Sequence, residues 1–423
     1  MTTPIAYKVN PALQATNSPP IPLAGAWSAL YTPTPSAPLI NLAQGVPGAP
    51  PPAEFQRRLA EAAADPVTTG YGDLRGDAEL REKLARDLEG AYAFEEDKVD
   101  EEKEVVLTAG CNLAFYATMV SLAGAGDEII LPTPWYFNNE MVLAQLGISV
   151  VPLVCQAPSF QPSPKDCEAL ITEKTRAIVL VTPNNPTGAI YTDELLHEFA
   201  ELAIRRGVAL VLDETYREFL PSRPHTLFTT TPWRSYLIHL FSFSKSYAIP
   251  GHRLGAIISS SQFLSQLNKT LDCLQICPAR PAQKAVEWAV EATREWREAT
   301  RDEIAQRQKL FKELLEGVEG WEVSTGGGYF AYVKHPFSGV SSEVVASRLG
   351  QYVGITVLPG TFFSPPFANI DDDRYIRFSI ANVSADTLKK VPERLVKLNE
   401  LWESLPAPPK VDGKGFEGKG SSD

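Results

Sequence analysis

The chain has 423 residues, a length that exceeds one ordinary hydrophobic core and points to two domains. Hydrophobic residues make up 44% and charged residues 21%, an ordinary globular composition. The net charge of −12 disfavours nucleic-acid and anionic-membrane partners, while leaving room for local basic sites that take a small anion.

No apolar run approaches the roughly 20 residues of a membrane span. The start, MTTPIAYKVN, lacks the charged and apolar regions of a secretory signal, and no arginine precedes Arg57, so no transit peptide is expected. The final SSD is not a peroxisomal address. The expected location is cytoplasmic. Cys111, Cys155, Cys167, Cys273 and Cys277 are odd in number and form no CxxC or Cys/His cluster, so reduced thiols are expected and no metal site.

In chain order, residues 1–40 are proline-rich and aperiodic, which predicts an extended arm crossing another surface. Five short apolar runs then alternate with helical patterns: EVVLTAG (104–110), DEIILPTP (127–134), RAIVLVTPNNPTG (176–188), VALVLDETY (208–216) and YLIHLFSFSK (236–245). Continuous apolar runs rich in β-branched residues are strands buried on both faces of a parallel sheet, so the predicted class is α/β. A charged helical stretch from Pro281 to about Gly317 predicts one long bridging helix. WEVSTGGGYFAYVK and RYIRFSIANV then predict strands of a smaller α+β domain. From about Pro406 the composition is that of disorder.

Polar and glycine-rich residues cluster just past the carboxyl ends of the predicted strands, the edge at which open parallel sheets bind ligands. Thr108-Ala109-Gly110-Cys111-Asn112 lies at a strand-to-helix junction, where free N–H groups and the helix dipole favour an anion. Pro183-Asn184-Asn185-Pro186-Thr187-Gly188 is a tight turn by composition, and also a place from which Asn185 can offer its amide. Asp213 ends an apolar strand, as a turn residue or as the partner of a buried cation, with Tyr216 three residues on. Ser242-Phe243-Ser244-Lys245, with Arg253 eight residues later, puts a lysine at the end of a buried strand. Burial lowers a lysine pKa, and a neutral amine attacks an aldehyde. Taken alone, Lys245 also fits a surface lysine in a serine-rich turn.

Together these segments resemble a fold-type I pyridoxal 5′-phosphate (PLP) enzyme of the class I/II aminotransferase family. The order carries the resemblance over roughly residues 40–400: GYGDLRGDAELR (70–81), TAGCN, PTPWY, NNPTG, DETY, SFSKSYAIPGHR and the arginine of RFSIAN. It implies a mostly parallel central sheet flanked by helices, with a smaller α+β domain. It implies an N-terminal arm and part of the small domain at 1–45, a large PLP-binding domain at 46–285, an interdomain helix and small C-terminal domain at 286–405, and a disordered tail at 406–423.

The resemblance assigns roles to matching residues. Lys245 is the Schiff-base lysine and proton shuttle, Asp213 the partner of the pyridine nitrogen, and Asn185 and Tyr216 the pair at the ring oxygen. Gly110, Cys111, Ser242, Ser244 and Arg253 form the phosphate cup. Trp135 stacks on the ring, with Tyr136 its rival. Tyr71 reaches the phosphate of a neighbouring subunit's cofactor, which implies a homodimer. Arg377 anchors the substrate carboxylate and Gly45 closes over the substrate. Gly360, in LPGTFF, lies in a further family loop and is expected to be structural.

The resemblance implies amino transfer between an amino acid and a 2-oxo acid. The alternative on the same scaffold is a lyase or cyclase, by β- or γ-elimination or in the manner of aminocyclopropane-carboxylate synthase, because one electron-sink core serves all of these. A non-enzymatic regulator is disfavoured because Asn185, Asp213, Tyr216, Lys245, Arg253 and Arg377 are all present. A dinucleotide enzyme is disfavoured because no GxGxxG opens the first strand–helix turn. Two departures stand out. LDCLQIC, before Pro278, lacks the second arginine of dicarboxylate-specific members, for which Arg280 is a substitute or a structural residue. Ala248 stands where glycine is common.

Overall fold

The computed structural model describes residues 6–406, so the tail expected at 406–423 lies, past its first residue, outside the described residues. The described part of the arm is not extended. It forms two helices, Pro11–Ala15 and Ile21–Ser28. Proline is tolerated in the first turn, where its missing N–H has no partner to lose, and Asn10 caps the first helix through its side chain. Ala24 and Trp27 of the second helix enter the core of the small domain. The first strand, β1 (Ile40–Asn41), follows.

β2 (Val105–Thr108), β3 (Glu128–Thr133), β4 (Ser149–Val154), β5 (Thr175–Val181), β6 (Ala209–Asp213), β7 (Leu237–Ser242) and β8 (Gly255–Ile258) form one sheet in the order β2-β8-β7-β6-β5-β3-β4. All neighbours pair parallel except β8, which is antiparallel to both β2 and β7. The apolar runs are continuous because both faces are covered. In β6, Leu210 and Leu212 join one apolar cluster and Val211 another. Each such buried side chain stabilises the fold by about 1.5–3 kcal/mol. The edge strand β4 is half exposed and gives a weaker sequence signal.

The smaller α+β domain holds β9 (Glu322–Gly327), β10 (Phe330–Lys334), β11 (Ile355–Thr356), β12 (Leu358–Pro359) and β13 (Tyr375–Ser379). Its antiparallel sheet runs β12-β13-β10-β9, while β11 pairs parallel with β1 of the arm. The bridge is two helices, Arg280–Ala292 and Arg294–Glu316, rather than the single helix predicted from Pro281 to Gly317. The break falls at Thr293, whose φ of −105° leaves the helical range and whose hydroxyl donates back to the Ala289 carbonyl. No glycine or proline marks that break in the sequence.

Gly188 ends the NNPTG turn at φ +70°, against β9, where an added Cβ would lie 2.5 Å from the Gly327 nitrogen. Gly188→Ala is expected to lower stability by about 2 kcal/mol or more, from left-handed strain plus overlap. A lower urea midpoint checks this, and an unchanged midpoint contradicts it.

Candidate active site

β5, β6 and β7 end side by side, and their carboxyl ends deliver the functional groups to one place. Asp213, the last residue of β6, pairs with Val181 of β5 and Leu240 of β7. A cavity of about 150 Å³ opens there, lined by Cys111, Asn112, Tyr136, Asn185, Asp213, Thr215, Tyr216, Ser242, Ser244, Lys245 and Arg253.

One end of the cavity suits an anion. The helix Cys111–Leu122 begins there behind Gly110, at φ +86°, and a Cβ on Gly110 would overlap the Arg253 guanidinium. Only glycine lets that cation lie against the helix start. Ser242 accepts from the Ser244 amide at 3.2 Å and so starts the one-turn helix Phe243–Ser246 that carries Lys245. Arg253 is held by a 2.9 Å bond from Nη1 to the Pro250 carbonyl. Ala248 adopts φ +54°, a region that favours glycine.

The other end holds the carboxylate. Burial pushes the Asp213 pKa up, and Thr215 partly offsets this by donating its hydroxyl (2.7 Å) and its amide (2.9 Å) to Oδ1. In the NNPTG turn the two asparagines divide the work. Asn184 Oδ1 accepts from the Thr187 amide and hydroxyl and locks the turn, while Asn185 faces the cavity.

Lys245 Nζ donates to the Gly45 carbonyl at 2.6 Å. Burial, then the charges of Arg377 and Arg253, bring its pKa down to about 8. Arg377, on β13, reaches across from the small domain. Its Nη1 donates to Asn185 Oδ1 at 2.8 Å and its Nη2 to the Ala43 carbonyl. Phe330 and Phe363 lie against its guanidinium plane, at 4.5 and 5.1 Å to the ring centroids. Arg377 is 2% exposed, its Nε has no hydrogen-bond partner, and no carboxylate among the described residues pairs with it. A buried cation in that state calls for an anion.

Most of the residues singled out in the sequence therefore meet, with three exceptions. Trp135 does not line the cavity. Its amide is tied to the Phe363 carbonyl at 2.7 Å and its ring joins the apolar cluster on one face of the sheet, so of the two adjacent aromatics it is Tyr136 that lines the cavity. Tyr71 lies outside this cavity, 81% exposed. Arg280 also stands apart. Its Nε lies 3.5 Å from Asp77 and its Nη1 donates to the Val67 carbonyl, so it braces the segment that carries Tyr71. Gly360 packs under β13, where a Cβ would lie 2.9 Å from the Tyr375 carbonyl, a structural place.

Sequence reasoning missed Asn112, Thr215 and the group behind Glu214. Glu214 is buried and accepts from Tyr92, from His239 at 2.9 Å and from His225 at 3.2 Å. Burial pushes its carboxyl up, but the two histidines outweigh this and hold it well below the usual range. DETY showed the acid, but its partners come from distant segments.

Residues 37–395 match the family model described as Aminotransferase class I and II. An arginine–pyruvate transaminase of Pseudomonas aeruginosa is 30% identical over 343 residues, covering 80% of this chain and 85% of the relative. An aromatic aminotransferase of Arabidopsis thaliana is 28% identical, covering 85% and 89%. An Escherichia coli protein, YbdL, whose crystal structure identified a methionine aminotransferase function, superposes with a TM-score of 0.83 at 25% identity, covering 93% of this chain and all (100%) of that one. These relatives support amino transfer over elimination or cyclisation.

Proposed function

The chain belongs to the class I and II aminotransferase family, and from that membership and the cavity we propose that Lys245 holds PLP while an amino group passes between an amino acid and a 2-oxo acid. The residues fit this cofactor. Gly110, Cys111, Ser242, Ser244 and Arg253 offer donors for its phosphate, and Asp213 Oδ2, which takes no bond from the described residues, is open to its ring nitrogen. Asn185 and Tyr216 suit the ring oxygen, Tyr136 the ring face, and Lys245 the aldehyde.

When bound, PLP supplies an aldehyde that exchanges imines and a ring that draws electrons from the substrate α-carbon. Arg377 takes the substrate carboxylate through its planar fork and so fixes the α-carbon near Lys245. Lys245 Nζ, largely neutral above about pH 8, would be the base that takes the substrate's α-proton and the acid that gives it back. Asp213 would lie beside the ring nitrogen as the group that keeps a proton there, with Thr215 donating to its Oδ1 against the upward push of burial. The Gly45 carbonyl steadies the Lys245 ammonium.

The observation that carries this reading is the buried Arg377, with no acid partner among the described residues, bonded to Asn185 on the wall of the cavity that holds the depressed Lys245. Stopped-flow absorbance of the PLP-loaded protein with a panel of amino acids tests it. Loss of the visible band with one 2-oxo acid per site and no ammonia is expected. Ammonia released with oxo acid in the absence of an acceptor would establish elimination instead. The absence of an arginine in LDCLQIC, with Arg280 held by Asp77 and the Val67 carbonyl, supports donors with uncharged side chains over a strict dicarboxylate specialist.

The Lys245 pKa sets a pH prediction. Uptake of PLP by the cofactor-free protein is expected to quicken about tenfold per pH unit and to level off above about pH 8. A plateau reached only near the ordinary lysine pKa would contradict it.

A homodimer is part of the proposal. Tyr71 is 81% exposed although its loop is held in place, with the Gly72 amide donating to Cys277 Sγ at 3.3 Å. An ordered, exposed tyrosine fits a partner's phosphate site. All five cysteines are free, which fits a reducing compartment such as the cytoplasm. No helix among the described residues is long and apolar enough to cross a membrane.

A further inference from the structure

We infer that Thr215 is a positioning residue for Asp213, aiming one oxygen of its carboxylate at the ring nitrogen and keeping the pair ionised. The inference rests on the PLP reading above. Both bonds from Thr215, hydroxyl at 2.7 Å and amide at 2.9 Å, end on Asp213 Oδ1. Together they fix the carboxylate plane and leave Oδ2 facing the cavity. Asp213 is 7% exposed, so a carboxylate there needs donors to stay charged.

The other groups near Asp213 do not serve this purpose. Glu214, the next residue, carries a like charge that raises the Asp213 pKa. The buried Cys111 thiol is a weak donor. Tyr136, Tyr216, Lys245 and Arg253 line the same cavity, yet none of them bonds to Asp213. The Thr215 hydroxyl is therefore the side-chain donor on which the charge of this carboxylate depends.

The consequence is chemical. A proton on the ring nitrogen withdraws electrons and makes the imine nitrogen less basic. Without the Thr215 hydroxyl, Asp213 Oδ1 keeps only one donor, and the proton shared with the ring moves toward the carboxylate. The imine then becomes more basic and the ring a poorer electron sink.

The experiment uses full-length protein loaded with PLP. Thr215→Val removes the hydroxyl at nearly constant volume and keeps the amide. Thr215→Ala repeats the deletion in case valine disturbs folding, and Thr215→Ser restores the hydroxyl. The visible band is titrated with pH, and the donor half-reaction is followed with the fastest amino acid of the panel.

In Val and Ala the titration midpoint is expected to rise by about one pH unit. The saturated half-reaction should slow about tenfold, with donor KM changing less than about twofold. Ser should restore both. Wild-type midpoints in Val and Ala, or a Ser variant as perturbed as Val, would overturn the inference while leaving the cofactor reading standing. A wild-type protein that shows no band with PLP, or a band that survives Lys245→Ala, would overturn both.

Discussion

Lys245→Ala is expected to slow amino transfer by about 10⁴-fold at saturating PLP, the upper range for removing a positioned acid–base group. The effect is large because the proposed mechanism gives Lys245 two tasks, holding the cofactor through its amine and carrying the proton between carbons on the same Nζ. Among the described residues no other lysine lines the cavity to take over. Burial, then the charges of Arg377 and Arg253, lower the amine's pKa to about 8, a setting that does not suit a displaced ammonium. Steady-state assay of the variant, with its folding checked by thermal melt, measures this. A rate within tenfold of wild type would contradict the role.

Arg377→Ala is expected to lower kcat/KM for amino-acid donors by about 10²- to 10³-fold, the range for truncating one side of a buried charge pair. Two features make the effect large. The guanidinium is 2% exposed and has no acid of its own among the described residues, and the proposal gives it the substrate carboxylate as partner. Its removal also strips donors from Asn185 Oδ1 and the Ala43 carbonyl, loosening the arm that supplies Gly45. Arg377→Lys should rescue little, because an ammonium cannot reproduce the planar fork. PLP affinity should change far less than kcat/KM. Donor amines that lack a carboxylate should react equally with both proteins, and a matching loss with such amines would show that Arg377 acts through the cofactor instead.

Lys245 was legible in the sequence for physical reasons, whereas the role of Arg377 came only from the family resemblance. A buried parallel strand leaves a continuous apolar run, so β6 and its terminal Asp213 were visible, as were β7 and the Lys245 that follows it. Sequential βα units bring such strand ends together, which is why Asn185, Asp213 and Lys245 could be expected to meet before any coordinates existed.

What stayed hidden depends on partners far away in the chain. Trp135 and Tyr136 are adjacent aromatics in a loop without periodicity. Which of them faces the cavity is settled by a backbone bond to Phe363, more than two hundred residues on. Thr215 looks like any threonine until its hydroxyl is seen on Asp213. Glu214 gains its meaning from Tyr92, His225 and His239. The helix break at Thr293 comes from side-chain back-bonding rather than from a glycine or proline. Part of the arm folds as helices because Pro11 and Pro22 fall in first turns, where helices accept proline.

The central claim is that Lys245 carries PLP. Reduction of the PLP-loaded protein with sodium borohydride, followed by proteolysis and mass spectrometry, tests it most directly. The expected result is a phosphopyridoxyl group on the peptide containing Lys245, with none trapped in Lys245→Ala. A protein that traps no cofactor, or traps it on another lysine, would contradict the claim.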